Sequence, residues 1–76
     1  MNMKVIGRRI RKQRIKKGLT IQKLAELLGL SNNFMGQVER GISTPSLETL
    51  IKIADKLELS LDYIVGTGKS NNKFSD

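Results

Sequence analysis

Three side-chain amides, Asn32, Asn33 and Gln37, fall close together in the run SNNFMGQVERG at residues 31–41. An amide donates and accepts at once. It can therefore pair bidentately with a flat edge that carries one donor and one acceptor, as adenine does in the major groove of DNA. Met35 and Val38 lie in the same run, three apart, which is the spacing of one helix face. If those two point inward, Asn32, Asn33, Gly36 and Gln37 point outward together. The chemistry implied is recognition by hydrogen bonding. Catalysis lacks its parts: the chain has no His and no Cys to act as base, nucleophile or soft metal ligand. Glu26, Glu48, Asp55, Glu58 and Asp62 are scattered over polar helix faces. Gly66 and Gly68 sit in a polar stretch and not after a strand, so they make no phosphate loop. Neither an enzyme, nor a metal site, nor a cofactor is expected.

Charge is placed unevenly. The net charge is +7 over 76 residues. Lys4, Arg8, Arg9, Arg11, Lys12, Arg14, Lys16, Lys17 and Lys23 crowd the first 23 positions with no acid among them, and the remainder is slightly acidic. A basic end on a small domain suits a polyanion; an ordinary solvated, Lys-rich helix has the same composition. No apolar run is long enough for a membrane span, and basic residues interrupt the N-terminus where a signal peptide needs an apolar stretch. A cytoplasmic protein is expected.

These residues must be positioned by helices, because no stretch alternates with period two. The pattern predicts an all-α, compact five-helix domain over 1–66 and a mobile polar tail over 67–76. The first helix spans about 4–17, with Ile6, Ile10 and Gln13/Arg14 inward and Gly18 ending it. Thr20 caps the second, 21–28, and Ser31 the third, 32–40. Thr44 and Pro45 read as N-cap and first residue of a fourth helix that buries Leu47, Leu50, Ile51, Ala54 and Leu57. Ser60 caps a fifth, with Leu61 and Ile64. Within this order Leu24, Ala25 and Leu28 form one apolar face. Gly29 supplies the turn, Leu30 plugs it, and Met35 and Val38 form the second face. That is the pattern of a helix-turn-helix, whose second helix lies in the major groove.

Residues 5–65 resemble the phage-repressor (Cro/CI, or xenobiotic-response-element) family of helix-turn-helix regulators. The resemblance is carried by Ile6-Gly7, Ile10, Arg14, Gly18-Leu19-Thr20, Leu24-Ala25, Leu28-Gly29, Glu39-Arg40-Gly41, Pro45-Ser46-Leu47 and Lys52-Ile53-Ala54, all in order and at family spacing. It implies that Asn32, Asn33 and Gln37 reach base edges. It also implies that Arg14 and Glu39 form an ion pair bridging the first and third helices. Arg40 and the loop 41–44 would then lie near phosphate, with Ser31, Ser43 and Thr44 as hydroxyl donors. At the second helix the sequence departs from the family, where Gln usually stands first. Ile21 leaves only its backbone N–H for a phosphate, with Gln22 and Lys23 as neighbouring contacts.

Two residues have two readings each. Gly36 either permits close approach to the groove or marks a tolerant position. Phe34 either packs on a thymine methyl or folds back over the first turn. At the far end, Leu61, Tyr63, Ile64 and Val65 exceed what a short terminal helix hides. They are expected to pair two copies as a homodimer, the alternative being that Leu61 and Ile64 close the core of a monomer. The function expected is that of a small transcriptional regulator, most simply a repressor, bound to a double-stranded operator that is an inverted repeat. The other readings are an antitoxin or anti-repressor acting through protein contacts, which an exposed Ile21 and Phe34 would suit, and a restriction–modification controller.

Overall fold

The computed structural model describes residues 2–66. These form α1 (Met3–Lys16), α2 (Ile21–Leu28), α3 (Asn32–Glu39), α4 (Leu47–Leu57) and α5 (Leu61–Val65). There is no strand among the described residues. Each helix begins at a side chain that accepts from a first-turn amide: Asn2, Thr20, Ser31, Ser46 and Ser60. Such a cap stabilises its helix by about 1 kcal/mol. The stretch 67–76, expected to be a polar tail, lies outside the described residues. Among the described residues no helix is long and apolar enough to cross a membrane.

One core serves all five helices. Ile6 and Ile10 of α1, Leu24 of α2, Met35 and Val38 of α3, Leu50, Ile53 and Leu57 of α4, and Ile64 of α5 are each at most 2 % exposed. Burying a side chain of this size contributes about 1.5–3 kcal/mol. Two turns are closed in the same way. Gly18 and Gly29 take φ of +74° and +70°. The next residue then reaches back: Leu19 N–H donates to Arg14 O at 3.0 Å, and Leu30 N–H to Ala25 O at 2.9 Å. Gly7 has a different reason. A Cβ there would stand 2.3 Å from Glu39 O and 2.5 Å from Val38 O, so only glycine lets α1 lie against the C-terminal end of α3.

The fourth helix corrects the sequence reading. Ser46, not Thr44, is its N-cap, accepting from Thr49 N–H at 3.1 Å, and Pro45 is buried in the preceding loop. The buried stripe is Leu50, Ile53, Ala54 and Leu57. Leu47 and Ile51 are 63 % and 43 % exposed. Ile51 stands about 100° round the helix from Leu50, which carries it off a stripe centred between Leu50 and Ile53. Ile53, omitted from the expected face, is fully buried. Past this helix Glu58 adopts φ 58°, the left-handed conformation that glycine usually supplies, and its carboxylate pairs with Lys17.

The fifth helix needs a second correction. Ile64 is 0 % exposed and belongs to the core, so it has no surface to offer a second copy. Leu61, Tyr63 and Val65 are half-buried and pack against that core. A five-residue helix has one turn facing inward, and Ile64 occupies its centre.

Candidate nucleic-acid interface

The second helix begins where Thr20 Oγ1 accepts from Lys23 N–H at 3.0 Å. No acid stands in its first turn, so the cap has no reciprocal carboxylate. The third begins where Ser31 Oγ accepts from Phe34 N–H at 3.0 Å. In both helices the earliest amides have no partner within their own helix. Leu24 and Ala25 of α2 and Met35 and Val38 of α3 are buried, which fixes the two helices against each other and turns the other face of α3 outward.

The angle of α3 is set by α1. Arg14 Nε donates to Glu39 Oε2 at 2.6 Å and Arg14 Nη2 to Glu39 Oε1 at 3.0 Å. The remaining end, Nη1, donates to Leu19 O at 2.7 Å. Arg14 is 8 % and Glu39 5 % exposed. Every polar edge of the guanidinium is thus engaged, and a buried pair with this bidentate geometry tolerates little rotation. The Gly7 contact lies at the same end of α3. Ion pair and close approach together hold the outward face in one orientation.

Thr20, Ile21, Gln22, Asn32, Asn33, Gly36 and Arg40 line one open cleft, with Arg14 at its edge. Its volume of about 560 Å³ is the space between the start of α2 and the outer face of α3. Asn32, Asn33 and Gln22 are exposed. Arg40 is exposed, and among the described residues its guanidinium pairs with no carboxylate. The cleft therefore joins amide donors and acceptors, helix N-terminal amides and one cation, a set able to bind a flat polar edge beside an anion.

Lys23 Nζ lies 3.2 Å from Glu26 Oε1, one turn into α2. Ile21 and Phe34 are half-buried and pack against the core. Gly36 is buried, because the Arg40 guanidinium lies over it with Nη1 3.3 Å from where a Cβ would stand. Gly36 thus accommodates Arg40 where it lines the cleft. Ser31 is exposed with its oxygen occupied by the cap, and Thr44 is exposed on the loop. Ser43 departs from its expected role as a phosphate donor: its hydroxyl donates to Gln37 Oε1 at 2.7 Å and its N–H to Gln37 O at 3.3 Å. Both of its donors are spent within the protein.

Two α1 residues and its C-cap Lys17 have structural roles that the charge pattern hid. Arg9 Nη1 is 2.7 Å from Tyr63 O, 3.3 Å from Ile64 O and 3.2 Å from Gly66 O, at the carbonyl end of α5. Its guanidinium carbon lies 5.2 Å from the centre of the Tyr63 ring. Gln13 Nε2 donates to Leu57 O at 3.0 Å, at the end of α4. Lys17 pairs with Glu58. Sequence spacing places these residues on the flank of α1 but does not say which helix end passes beside them.

Residues 10–64 match the helix-turn-helix (HTH_3) family model. The chain is 32 % identical over 68 residues to the HTH-type transcriptional regulator ImmR of Bacillus subtilis, covering 90 % of this chain and 54 % of ImmR. It thus spans about half the length of that relative. Among solved structures, the restriction-modification controller protein C.AhdI of Aeromonas hydrophila is similar, with a TM-score of 0.76 and 35 % identity over 82 % of this chain and 94 % of that one. The master regulator for biofilm formation SinR, solved in complex with DNA, has a TM-score of 0.75 and 31 % identity over 80 % of this chain and 98 % of that one.

Proposed function

The chain belongs to the helix-turn-helix family HTH_3, and from that premise we propose that it is a sequence-specific DNA-binding transcriptional regulator that reads the major groove with α3. The observation that carries this reading is the convergence of the α2 N-terminus, Asn32, Asn33 and Arg40 on one open cleft. Asn32, Asn33 and Gln37 contact bases, and the amides of Ile21 and Gln22, with Arg40, contact phosphates. Repression by occupying a promoter is the simplest action for such a domain. The similarity to SinR solved with DNA supports the nucleic acid as ligand.

The chain works as a homodimer on an inverted repeat, paired through Leu61, Tyr63 and Val65. A two-fold dimer spaces its recognition helices about 34 Å apart, so half-site centres lie about 10 base pairs apart. Val65→Asp should then weaken pairing while leaving the fold intact; sedimentation that is unchanged with and without operator would remove this interface. A restriction–modification controller is a second reading, favoured by the near-complete coverage of C.AhdI. A reporter assay separates the two, since a controller also activates. The antitoxin or anti-repressor reading would rest on Ile21 and Phe34, which are half-buried and pack against the core.

Selection of bound fragments from random duplex DNA, followed by titration in increasing salt, tests the main reading. One inverted repeat should emerge, with affinity falling steeply as salt rises because counterions are released. Arg40→Ala should weaken all duplexes alike and flatten the salt slope by about one unit. Failure to enrich any sequence, or an affinity insensitive to salt, would overturn it.

A further inference from the structure

The side of α1 turned to solvent carries a seam of its own. Val5, Arg8, Lys12 and Ile15 follow at spacings of three, four and three, the rhythm at which two helices meet along their length. Arg8, Lys12 and Ile15 are exposed, Ile15 by 54 %, and Val5 is half-buried. With Tyr63 of α5 they line an open groove of about 460 Å³, and Arg9 and Arg11 stand along it. Among the described residues Arg8, Arg11 and Lys12 pair with no carboxylate. The seam is turned away from α3: Gly7 and Arg14 face that helix, and Arg8 and Ile15 each stand about 100° further round α1.

We propose that this seam docks an acidic amphipathic helix of a partner protein, apolar at both ends and carboxylate-bearing between them. Charge and shape together select it. Covering Val5 and Ile15 takes apolar side chains. It also draws the Arg8 and Lys12 charges out of water, a cost that a facing carboxylate offsets. A phosphate backbone matches the cations but leaves the two apolar residues uncovered. A second copy in two-fold contact sets like charges face to face. A small molecule lies mostly in water in so open a groove. From Val5 to Ile15 the seam is about 15 Å long, room for about three helical turns. A contact of that size is of the weak, exchanging kind. It does not depend on how α3 is used, and it leaves the outward face of α3 open to a second ligand.

The probe is a synthetic alanine-based helix with two leucines outermost and two glutamates between them, at the same spacing as the seam. It is titrated into the isotope-labelled full chain and followed by amide chemical shifts. Shifts should cluster from Val5 to Ile15 and at Tyr63, and should spare Asn32 and Asn33. Ile15→Gln should raise the dissociation constant by about five- to tenfold, as expected when a half-exposed isoleucine loses its cover. Arg8→Glu with Lys12→Glu should abolish binding of this probe and create binding of one with lysines in place of the glutamates. Only direct pairing across the contact produces that exchange. A probe with both leucines replaced by glutamine should bind at least about fivefold more weakly. Its equal binding would reduce the seam to a general attraction for polyanions and overturn the proposal, as would the absence of shifts or of binding by the lysine probe. Displacement of the bound probe by random-sequence duplex DNA would assign the seam to nucleic acid. Self-association of the free protein that Ile15→Gln abolishes would assign it to a second copy. Either of these also overturns the partner helix.

Discussion

The two ends of the molecule are held to α1 by different chemistry. At the α3 end the attachment is a buried, bidentate Arg14–Glu39 pair and a backbone approach that only Gly7 permits. At the α4–α5 end it is side-chain donation to helix-terminal carbonyls, by Gln13 to Leu57 and by Arg9 to Tyr63, Ile64 and Gly66, with the exposed Lys17–Glu58 pair beside them. The first kind fixes an angle, because both partners are buried and planar. The second satisfies orphan carbonyls and tolerates adjustment, because a carbonyl accepts over a broad range of directions. The end that must meet a rigid ligand has the attachment that permits least rotation.

The contrast breaks most severely at Glu39. Glu39→Ala leaves the Arg14 guanidinium buried without its carboxylate and should destabilise the fold by about 3–5 kcal/mol. Converting both residues to apolar groups should recover much of that stability but not the operator affinity, since the angle of α3 is then free. Denaturant unfolding and DNA titration of the two variants separate stability from orientation. An unchanged unfolding midpoint in the single variant would contradict the burial of the pair.

Gly7→Ala is the next test. Its methyl meets backbone carbonyls, which cannot swing aside like a flexible side chain, so α1 and α3 must separate at a cost of about 1–3 kcal/mol. Operator affinity should fall further than stability alone accounts for. Equal binding by the variant at saturating folded fraction would show that this contact does not orient α3.

Arg9→Ala attacks the other end. Three carbonyls lose a partly buried donor, for a loss of about 1–3 kcal/mol. Amide exchange should accelerate in α5 first, with α2 and α3 unaffected. Uniform acceleration across the domain would mean the two ends are not separable.

The smallest effect is expected at Glu58. The hydrogen bond from Lys17, and then its charge, hold the Glu58 carboxyl below the usual carboxylate range. With a depressed folded pKa, the stabilisation is present at neutral pH and down to the ordinary carboxylate range. It is lost as pH falls through the lowered value. Glu58 is fully exposed, so solvent screens the effect. Lys17→Ala should slightly flatten the acid side of the melting-temperature profile from the ordinary carboxylate range down to the lowered value. A profile identical to wild type would show that the pair contributes nothing.

Local chemistry was legible in the residues themselves. Gly18 and Gly29 ended helices because a left-handed φ is open to glycine, and Thr20, Ser31 and Ser60 began them because their oxygens reach an amide three residues on. Met35 and Val38, three apart, fixed which side of α3 is buried and therefore that Asn32 and Asn33 face outward. The Arg14–Glu39 pair was legible only through resemblance, since 25 positions separate its members. Where two local signals competed, the sequence alone misled. Thr44-Pro45 reads as a helix start although Ser46 is the cap, and Leu47 and Ile51 are as apolar as Ile53. Packing against α1 and α5 decided between them, because a stripe buries only the side that meets neighbours. The long-range donors were illegible for the same reason. Nothing local to Arg9, Gln13 or Ser43 names the carbonyl that the folded chain brings within reach, and it is the tertiary structure that turns one Arg into a helix cap and one Ser into the partner of Gln37.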